Sequence, residues 1–275
     1  MKVLTTKIKL GIEKPIKLIH FSDTHLTRAD GRDDDRKIEL AKKRRSVSFP
    51  NNEQIYAETL KLCEKGYDCV LHTGDLIDFV SYANIDEARQ FIDKTDCFFA
   101  AGNHEFSLYV GEAKEDAAYR AKSLDRVQAA FKNDIRFDSR VIGGVNFVAI
   151  DNSYYLFDPY QLEGLKNEVA KGLPIVLLMH NPIYEESLYE HQISKNPCAY
   201  LVAVPEEKTA CYPADRRTQQ LADEITLEAV KYIKEEPMIK AILAGHVHCD
   251  FESEVRPGLP QYIVGLSTAR EIIIE

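Results

Sequence analysis

The 275-residue chain lacks several features that would place it in a special class of protein. It has no apolar run close to the roughly 18 residues of a membrane-spanning helix. Its N-terminal stretch, MKVLTTKIKLGIEKPIK, lacks the hydrophobic core of a secretion signal. Its six cysteines are scattered and form no CxxC pair, which favours free thiols over a disulfide framework. The sequence therefore predicts a cytoplasmic protein that does not contact a membrane.

The sequence also lacks an excess of basic charge. Lys and Arg number 35 against 44 Asp and Glu, which gives a formal net charge of −9. Binding along a nucleic-acid backbone needs a basic surface, so this balance argues against a nucleic-acid partner. The share of hydrophobic residues, 45%, is ordinary for a globular protein, and a chain of this length can bury a large core.

Short apolar segments alternate along the chain with segments of helical periodicity. Each apolar segment is rich in Ile, Val, Leu or Phe and mostly lacks polar alternation, as is typical of strands buried on both faces. The predicted strands are Ile16–Phe21, Cys69–His72, Cys97–Ala101, Val145–Ile150, Ile175–Met179 and Met238–Leu243. Gly143-Gly144 and Pro257-Gly258 predict the turns of two hairpins. The pattern predicts an α/β sandwich in a single domain over residues 1–275.

Capping residues and apolar periodicity predict four helices between the strands. They are expected near residues 51–66, 117–131, 158–172 and 218–237. Two stretches break this rhythm: residues 26–50 are dense in both charge signs, and residues 184–217 hold prolines and tyrosines without clear periodicity. Both are expected to be long loops or small insertions, and such loops commonly carry function.

Polar residues follow five of the six predicted strands. The sequences are SDTH, TGDLID, GNHE, MHNP and AGHVHCD. Taken singly, an Asp-x-His or a Gly-Asp is more often a turn, and a lone His after a strand more often belongs to the core. Ligands of open α/β sheets bind at the carboxyl ends of strands, so the conjunction favours one shared site. In an extended chain, Asp23 and His25 would point to the same face and both reach that site.

In the order D-x-H, G-D, G-N-H-E, H and G-H-x-H, these motifs resemble those of the calcineurin-like metallophosphoesterases. They extend from Asp23 to His248 and so span nearly the whole chain. The resemblance implies a four-layer α-β-β-α sandwich, in which two mixed β-sheets are flanked by helices. It also implies a metal-dependent phosphoric ester hydrolase, in which a hydroxide held between two metal ions attacks phosphorus in line.

The resemblance implies a role for each residue that matches a motif. The first metal ion would be bound by Asp23, His25, Asp75 and His248, and the second by Asn103, His180, His246 and the bridging Asp75. His104 would act as the general acid for the leaving oxygen. Mixed imidazole and carboxylate ligands suit zinc, manganese or iron better than magnesium, so the expected cofactors are two divalent transition-metal ions.

Four further residues are weaker candidates for the site. Asp78 is expected to orient a metal ligand from behind. Glu105 could do the same or form a simple salt bridge. Arg216 and Arg217 could contact a substrate phosphate, although a solvent-facing basic pair fits them better.

The remaining charged and histidine residues have simpler interpretations. Residues 184–217 begin directly after MHNP and are expected to form a partial lid, in which His191 is only weakly linked to the substrate. The KKRR run at residues 42–45 is expected to face solvent. His20 and His72 lie within apolar strands and are expected to be core residues.

Departures from the family pattern narrow the expected substrate. Protein phosphatases of this superfamily carry Arg-Gly after the second aspartate of the GD motif, whereas this chain has Phe79-Val80. Their paired glycines after the middle histidine are replaced by Asn181-Pro182. We therefore expect a small phosphomonoester or phosphodiester, with nucleotides among the candidates. A phosphoprotein phosphatase or a nuclease is the alternative, and a non-catalytic protein-binding scaffold is disfavoured because the chain keeps every ligand and His104.

Overall fold

The computed structural model describes residues 1–112 and 116–275, and within them the strands form two mixed β-sheets. The first sheet has the order β1 (Lys2–Ile8), β11 (Thr268–Ile274), β2 (Ile16–Phe21), β3 (Cys69–His72) and β4 (Phe98–Phe99). The second has the order β5 (Phe137–Ile142), β6 (Val145–Ile150), β7 (Ile175–Leu178), β8 (Ile239–Ala244), β10 (Leu259–Ile263) and β9 (Phe251–Arg256). β2 pairs in parallel with β3 and antiparallel with β11, and β6 pairs in parallel with β7 and antiparallel with β5.

Helices connect the strands, and four of them pack against the outer faces of the two sheets. The helices are α1 (Asp35–Lys43), α2 (Asn52–Cys63), α3 (Tyr82–Thr95), α4 (Ala117–Ala121), α5 (Leu124–Gln128), α6 (Pro159–Val169), α7 (Glu186–Ile193), α8 (Ala214–Gln220) and α9 (Glu224–Glu235). Among the described residues, no helix has the length and apolar character that crossing a membrane requires.

The apolar strands are buried on both faces, which explains why they lack polar alternation. Leu18 of β2 and Phe147 of β6 belong to one core cluster that fills the space between the sheets. Their neighbours Ile19 and Val148 point the opposite way, into clusters shared with α2 and α3 on one side and with α6 and α9 on the other. This alternation produces the four layers that the family resemblance implied, and the predicted α-β-β-α sandwich is confirmed.

Most predicted elements lie where the sequence put them. β2, β3 and β6 have the predicted bounds, and both hairpins form, with β5 pairing β6 and β9 pairing β10. A capping box at Asp158, completed by Gln161, starts α6. The carboxyl ends of β2, β3, β7 and β8 thereby bring the polar motifs to one edge of the sandwich.

Two predicted helices are each split in the structure. The segment 214–235 contains α8 and α9, because the Asp223 side chain accepts a hydrogen bond from the amide of Thr226 and starts a new helix there. A start at Thr218 was therefore wrong. The segment 117–131 contains two short helices, α4 and α5, which are separated at Ser123, whose hydroxyl donates to the Phe106 carbonyl.

The two stretches expected to be loops contain regular structure. Asp34 caps α1 by accepting a hydrogen bond from the amide of Lys37, and a π-helical turn, Arg44–Ser48, follows the helix directly. Only three of the nine residues of α1 are apolar and the other six are charged, so the sequence offers few apolar positions from which to predict the helix. Residues 184–217 likewise contain α7, a 3₁₀ turn and the start of α8.

Candidate metal centre

The side chains at the strand ends converge because their backbone turns sharply. Asp23, His25, Asp75, His246 and His248 all have left-handed φ angles, between 48° and 69°. Non-glycine residues seldom adopt this conformation, and such residues cluster at functional sites. The extended geometry expected for Asp23 and His25 was therefore wrong, although both side chains do reach the same site.

The first group of candidate ligands is Asp23, His25, Asp75 and His248, and one donor atom from each lies within 4.8 Å of the others. His25 Nε2 is 3.0 Å from His248 Nε2 and 3.6 Å from Asp75 Oδ2. His248 Nε2 is 3.4 Å from Asp23 Oδ1. Ligands that bind an ion at about 2.0–2.2 Å are themselves roughly 3–4 Å apart, so the spacing fits a bound metal ion.

The second group shares Asp75 with the first and adds His180 and His246. His180 Nε2 is 3.1 Å from Asp75 Oδ2 and 3.1 Å from His246 Nδ1. Asn103 lines the same cavity as Asp75 and His246, and its Oδ1 is buried without a hydrogen-bond partner among the described residues. A buried amide oxygen without a partner is costly, so this atom also fits a metal ligand.

In three of the candidate histidine ligands, the ring nitrogen that does not face the other ligands makes a hydrogen bond. His25 Nδ1 donates to Asp78 Oδ1 at 3.0 Å, and His180 Nδ1 donates to the Thr73 carbonyl at 2.6 Å. His246 Nε2 lies 2.7 Å from the Tyr155 hydroxyl. Such bonds fix the tautomer and aim the lone pair of the opposite nitrogen at the metal. Asp78 thus has the predicted contact, whereas Tyr155 was missed because no motif includes it.

The candidate carboxylates are held ionised. Burial favours the neutral form of Asp23, but hydrogen bonds from His248 and His25 outweigh it and keep its pKa well below the usual range. Burial likewise opposes charge on Asp75, and the nearby His180 and His104 overcome it and lower its pKa. Ionised carboxylates are the form that binds a metal ion.

His104 stands at the edge of both groups. Its Nδ1 donates to the Asp78 carbonyl oxygen at 2.7 Å and is 3.2 Å from Asp78 Oδ1. Burial lowers the pKa of His104, but the charges of Asp75 and Asp78 outweigh burial and raise the pKa to about 10. These two charges therefore favour the imidazolium form of the ring.

Glu105 supports the loop that presents Asp75. Its carboxylate accepts hydrogen bonds from the backbone amides of Asp75 (2.7 Å), Leu76 (2.8 Å), Ile77 (3.2 Å) and Gly102 (2.7 Å). Within the described part of the chain, the hydrogen-bond partners of Glu105 are these backbone amides rather than a basic side chain, which does not fit the simple salt bridge that was the alternative. A Cβ atom at Gly102 would collide with the Asp75 carboxylate, which explains the glycine of the GNHE motif.

The structure separates the weaker basic candidates. Arg216 lines the cavity and donates to Gln219 Oε1 at 2.8 Å. Arg217 instead pairs with Glu206 at 3.2 Å and faces solvent. The solvent-facing interpretation of KKRR was wrong for Arg44, whose Nε is 2.6 Å from Asp78 Oδ2.

Two strand histidines and one histidine of the insertion lie outside both groups. His20 and His72 are fully buried and contact the hydroxyls of Thr73 and Thr24, as expected of core residues. His191 packs against Phe251 rather than lining the cavity.

A cavity of about 410 Å³ opens over both groups of candidate ligands. Its floor includes Asp75, Asn103, His104, His246 and His248. Part of the lining comes from residues 184–219. It consists of Gln192, Asn196, Tyr200, Arg216 and Gln219. The lining also includes Tyr109 and Tyr119.

Two stacked sheets with His and Asp clusters at their carboxyl edge define a metal-binding α/β sandwich protein. A family model, described as calcineurin-like phosphoesterase, matches residues 16–250. The chain belongs to that family, which uses a two-metal centre. The motif-based resemblance is thereby confirmed.

Solved structures with similar folds share little sequence with this chain. A dimetal phosphatase from Danio rerio is 12% identical, with 91% of this chain and 87% of that chain covered and a TM-score of 0.47. A phosphopantetheinyl hydrolase from Mycobacterium tuberculosis is 14% identical, with coverage of 91% and 90% and a TM-score of 0.42. A putative 5'-nucleotidase from Staphylococcus aureus is 14% identical, and this chain spans 51% of its length, with 94% of this chain covered and a TM-score of 0.44. No curated protein matches the chain.

Proposed function

We propose that the protein is a two-metal hydrolase of a small phosphomonoester or phosphodiester. The observation that carries this proposal is that two groups of metal-binding donors share Asp75, and that Asp75 and His104 line the same cavity. A phosphoester placed there would meet both groups and His104 together.

The candidate ligands divide between two ions. Asp23, His25, Asp75 and His248 would hold the first, and Asp75, Asn103, His180 and His246 would hold the second. A pair of divalent transition-metal ions, when bound, offsets the negative charge of the phosphoryl oxygens and makes bound water acidic enough to attack. Zinc, manganese and iron all fit this mixture of imidazole, carboxylate and amide donors.

His104 would supply the proton that the leaving oxygen needs. Its Nδ1–H is engaged with Asp78, so the ring is held in one orientation. Nε2 is then the nitrogen that can donate a proton to substrate. The proton leaves Nε2 as the bond between phosphorus and the leaving oxygen breaks.

The cavity favours a small organic ester as substrate. Its volume of about 410 Å³ lies in the range of about 300–1,000 Å³ that is typical of small-molecule sites. The lining combines three aromatic side chains, Tyr109, Tyr119 and Tyr200, with the amides of Gln192 and Asn196, which suits a planar, hydrogen-bonding moiety. A nucleotide has both features.

The test is a screen of metal ions against substrates. Metal-stripped protein would be reloaded with zinc, manganese or iron and assayed on p-nitrophenyl phosphate, bis-p-nitrophenyl phosphate and a panel of nucleotides, with Asp75→Asn as the control. We expect hydrolysis that requires metal and that the control lacks. Protein that holds two metal ions but hydrolyses none of these esters would contradict the proposal.

A further inference from the structure

A segment outside every family motif packs against the first group of candidate ligands. It consists of the π-helical turn Arg44–Ser48 and the following Phe49, and it is called the brace below. The family motifs account for the ligands themselves, and they assign nothing to the brace.

Arg44 fixes the carboxylate that supports two histidines. Its Nε donates to Asp78 Oδ2 at 2.6 Å and its Nη2 donates to Asp78 Oδ1 at 2.8 Å. The same Oδ1 accepts from His25 Nδ1 at 3.0 Å and lies 3.2 Å from His104 Nδ1. A guanidinium fork holds a carboxylate in one plane, so Arg44 determines the direction from which the Asp78 carboxylate meets the His25 ring. His104 Nδ1 donates to the Asp78 backbone carbonyl at 2.7 Å, and the same carboxylate lies beside it as a second, longer contact.

Phe49 holds His25 from a second direction. The two rings are stacked, with centroids 4.3 Å apart and planes 11° apart. Phe49 also lies edge-on to His248, at 6.2 Å and 66°, and the Arg44 guanidinium lies 4.8 Å over its ring. His25 is thus held at its Nδ1 edge through Asp78 and across its ring face by Phe49.

The backbone of the brace brings these two side chains together. The Phe49 amide donates to the Arg44 carbonyl at 2.9 Å, five residues back, which is the π-helical bond. Isolated π-turns are rare and are found frequently at functional sites. The extra residue in this turn places Arg44 beside Asp78 and Phe49 against the His25 ring, and Asp78 and Phe49 both contact His25.

We propose that Arg44 and Phe49 are positioning residues, which orient His25 toward the first metal ion and His104 toward the leaving group. Arg44 also balances the charge of the Asp78 carboxylate, with which it makes two hydrogen bonds. The kinetic part of this inference rests on the proposed function, and the metal-binding part does not.

The test compares Arg44→Gln, Arg44→Lys and Phe49→Leu with a matched control, Arg45→Gln. Arg45 is the exposed neighbour, and its Nη2 donates to the Thr27 carbonyl at 3.0 Å rather than to Asp78. Zinc affinity of the metal-stripped full chain would be measured by competition with a chromogenic chelator. The ¹⁵N shifts of the His25 ring in the metal-free protein would report its tautomer, and the melting temperature would report folding.

We expect Arg44→Gln to weaken one of two zinc-binding steps about 10–100-fold, the usual cost of losing a residue that supports a ligand. Arg44→Lys should recover only part of the loss, because an ammonium group cannot make the fork. Phe49→Leu should broaden the His25 tautomer signals, and Arg45→Gln should match the wild type in all readouts.

Two results would overturn the inference. One is a folded Arg44→Gln variant with wild-type zinc affinity and an unchanged His25 tautomer. The other is an equal loss in Arg45→Gln, which would assign the effect to segment charge. If Arg44→Gln fails to fold, Arg44→Lys and Phe49→Leu decide in its place. A wild type that binds two zinc ions but hydrolyses no ester would refute the proposed function and leave the metal-binding part of this inference standing.

Discussion

The two groups of candidate ligands are supported by different parts of the molecule. The first depends on the brace, through Asp78 and Phe49, and its His248 side chain is 39% exposed. The second is supported by the ends of core strands, since the Thr73 carbonyl holds His180, and Tyr155, just after β6, holds His246. The second group is therefore built into the sandwich, whereas the first is completed by a segment added outside it.

This difference has a consequence for how each group should respond to change. Contacts from core strand ends are fixed once the sheets form. Contacts from the brace also need a short helix and a π-turn that bury few residues. We expect the first group to be the more easily loosened and the second to be the more rigid.

The largest loss of activity is expected on changing Asp75, the residue that the two groups share. Asp75→Asn should reduce turnover by more than about 100-fold, because this side chain belongs to both groups and supporting residues alone cost 10–100-fold. His248→Ala changes only the first group and should retain more of the metal. Metal content, turnover and circular dichroism would be compared for both variants. Wild-type activity in Asp75→Asn would refute the bridging assignment.

The second-largest effect is expected at His104, because this residue would transfer a proton but would not bind a metal ion. His104→Ala should keep both ions and lose about 10²–10⁴-fold in turnover on alkyl esters, whose alkoxide leaving group needs a proton. The loss should be smaller on p-nitrophenyl esters, because p-nitrophenolate leaves without one. Equal losses on both esters would mean that His104 does not protonate the leaving group.

A third variant tests how the second group of candidate ligands is supported. Tyr155→Phe removes the hydroxyl that lies 2.7 Å from His246 Nε2 and should weaken one zinc-binding step roughly tenfold. Combined with Arg44→Gln, the losses in binding free energy should add, because the two variants act on different groups. A double variant no weaker than Arg44→Gln alone would show that both residues act on the same ion.

The last effect is expected from pH. Burial opposes charge on His180, but Asp75 outweighs it and raises the pKa of His180 to about 9. Since a metal ion must displace this proton, zinc affinity should rise with pH up to about 9 and then level off. Calorimetry in buffers of different ionisation enthalpy would count the protons released. His180→Ala should release fewer, and an unchanged count would contradict the assignment.

The sequence was sufficient for those parts of the site that lie at strand ends. Asp23, Asp75 and His180 follow mostly apolar strands, so their position at one edge could be predicted from pattern alone. The brace could not, because its contacts with Asp78 and His25 are tertiary and α1 has almost no apolar face to reveal it. Tyr155 was missed for the same reason.

Local chemistry likewise decided which helix boundaries were predictable. The capping box at Asp158 marks the start of α6 in the sequence itself. Asp223 is an equally good cap, but the apolar pattern on either side of it suggested one continuous helix. The capping hydrogen bond of Asp223 determines where α9 starts, but the apolar periodicity of the sequence hid that start.

The left-handed backbone at five candidate ligands has an evolutionary consequence. Each non-glycine residue in that conformation costs of order 1–3 kcal/mol, which the chain tolerates only while the side chain is useful. A descendant released from catalysis would gain stability by replacing Asp23, His25, Asp75, His246 or His248 with glycine, which adopts this backbone readily. Relatives that keep the sandwich but have lost the activity should therefore carry glycine at these positions more often than at the strand residues before them.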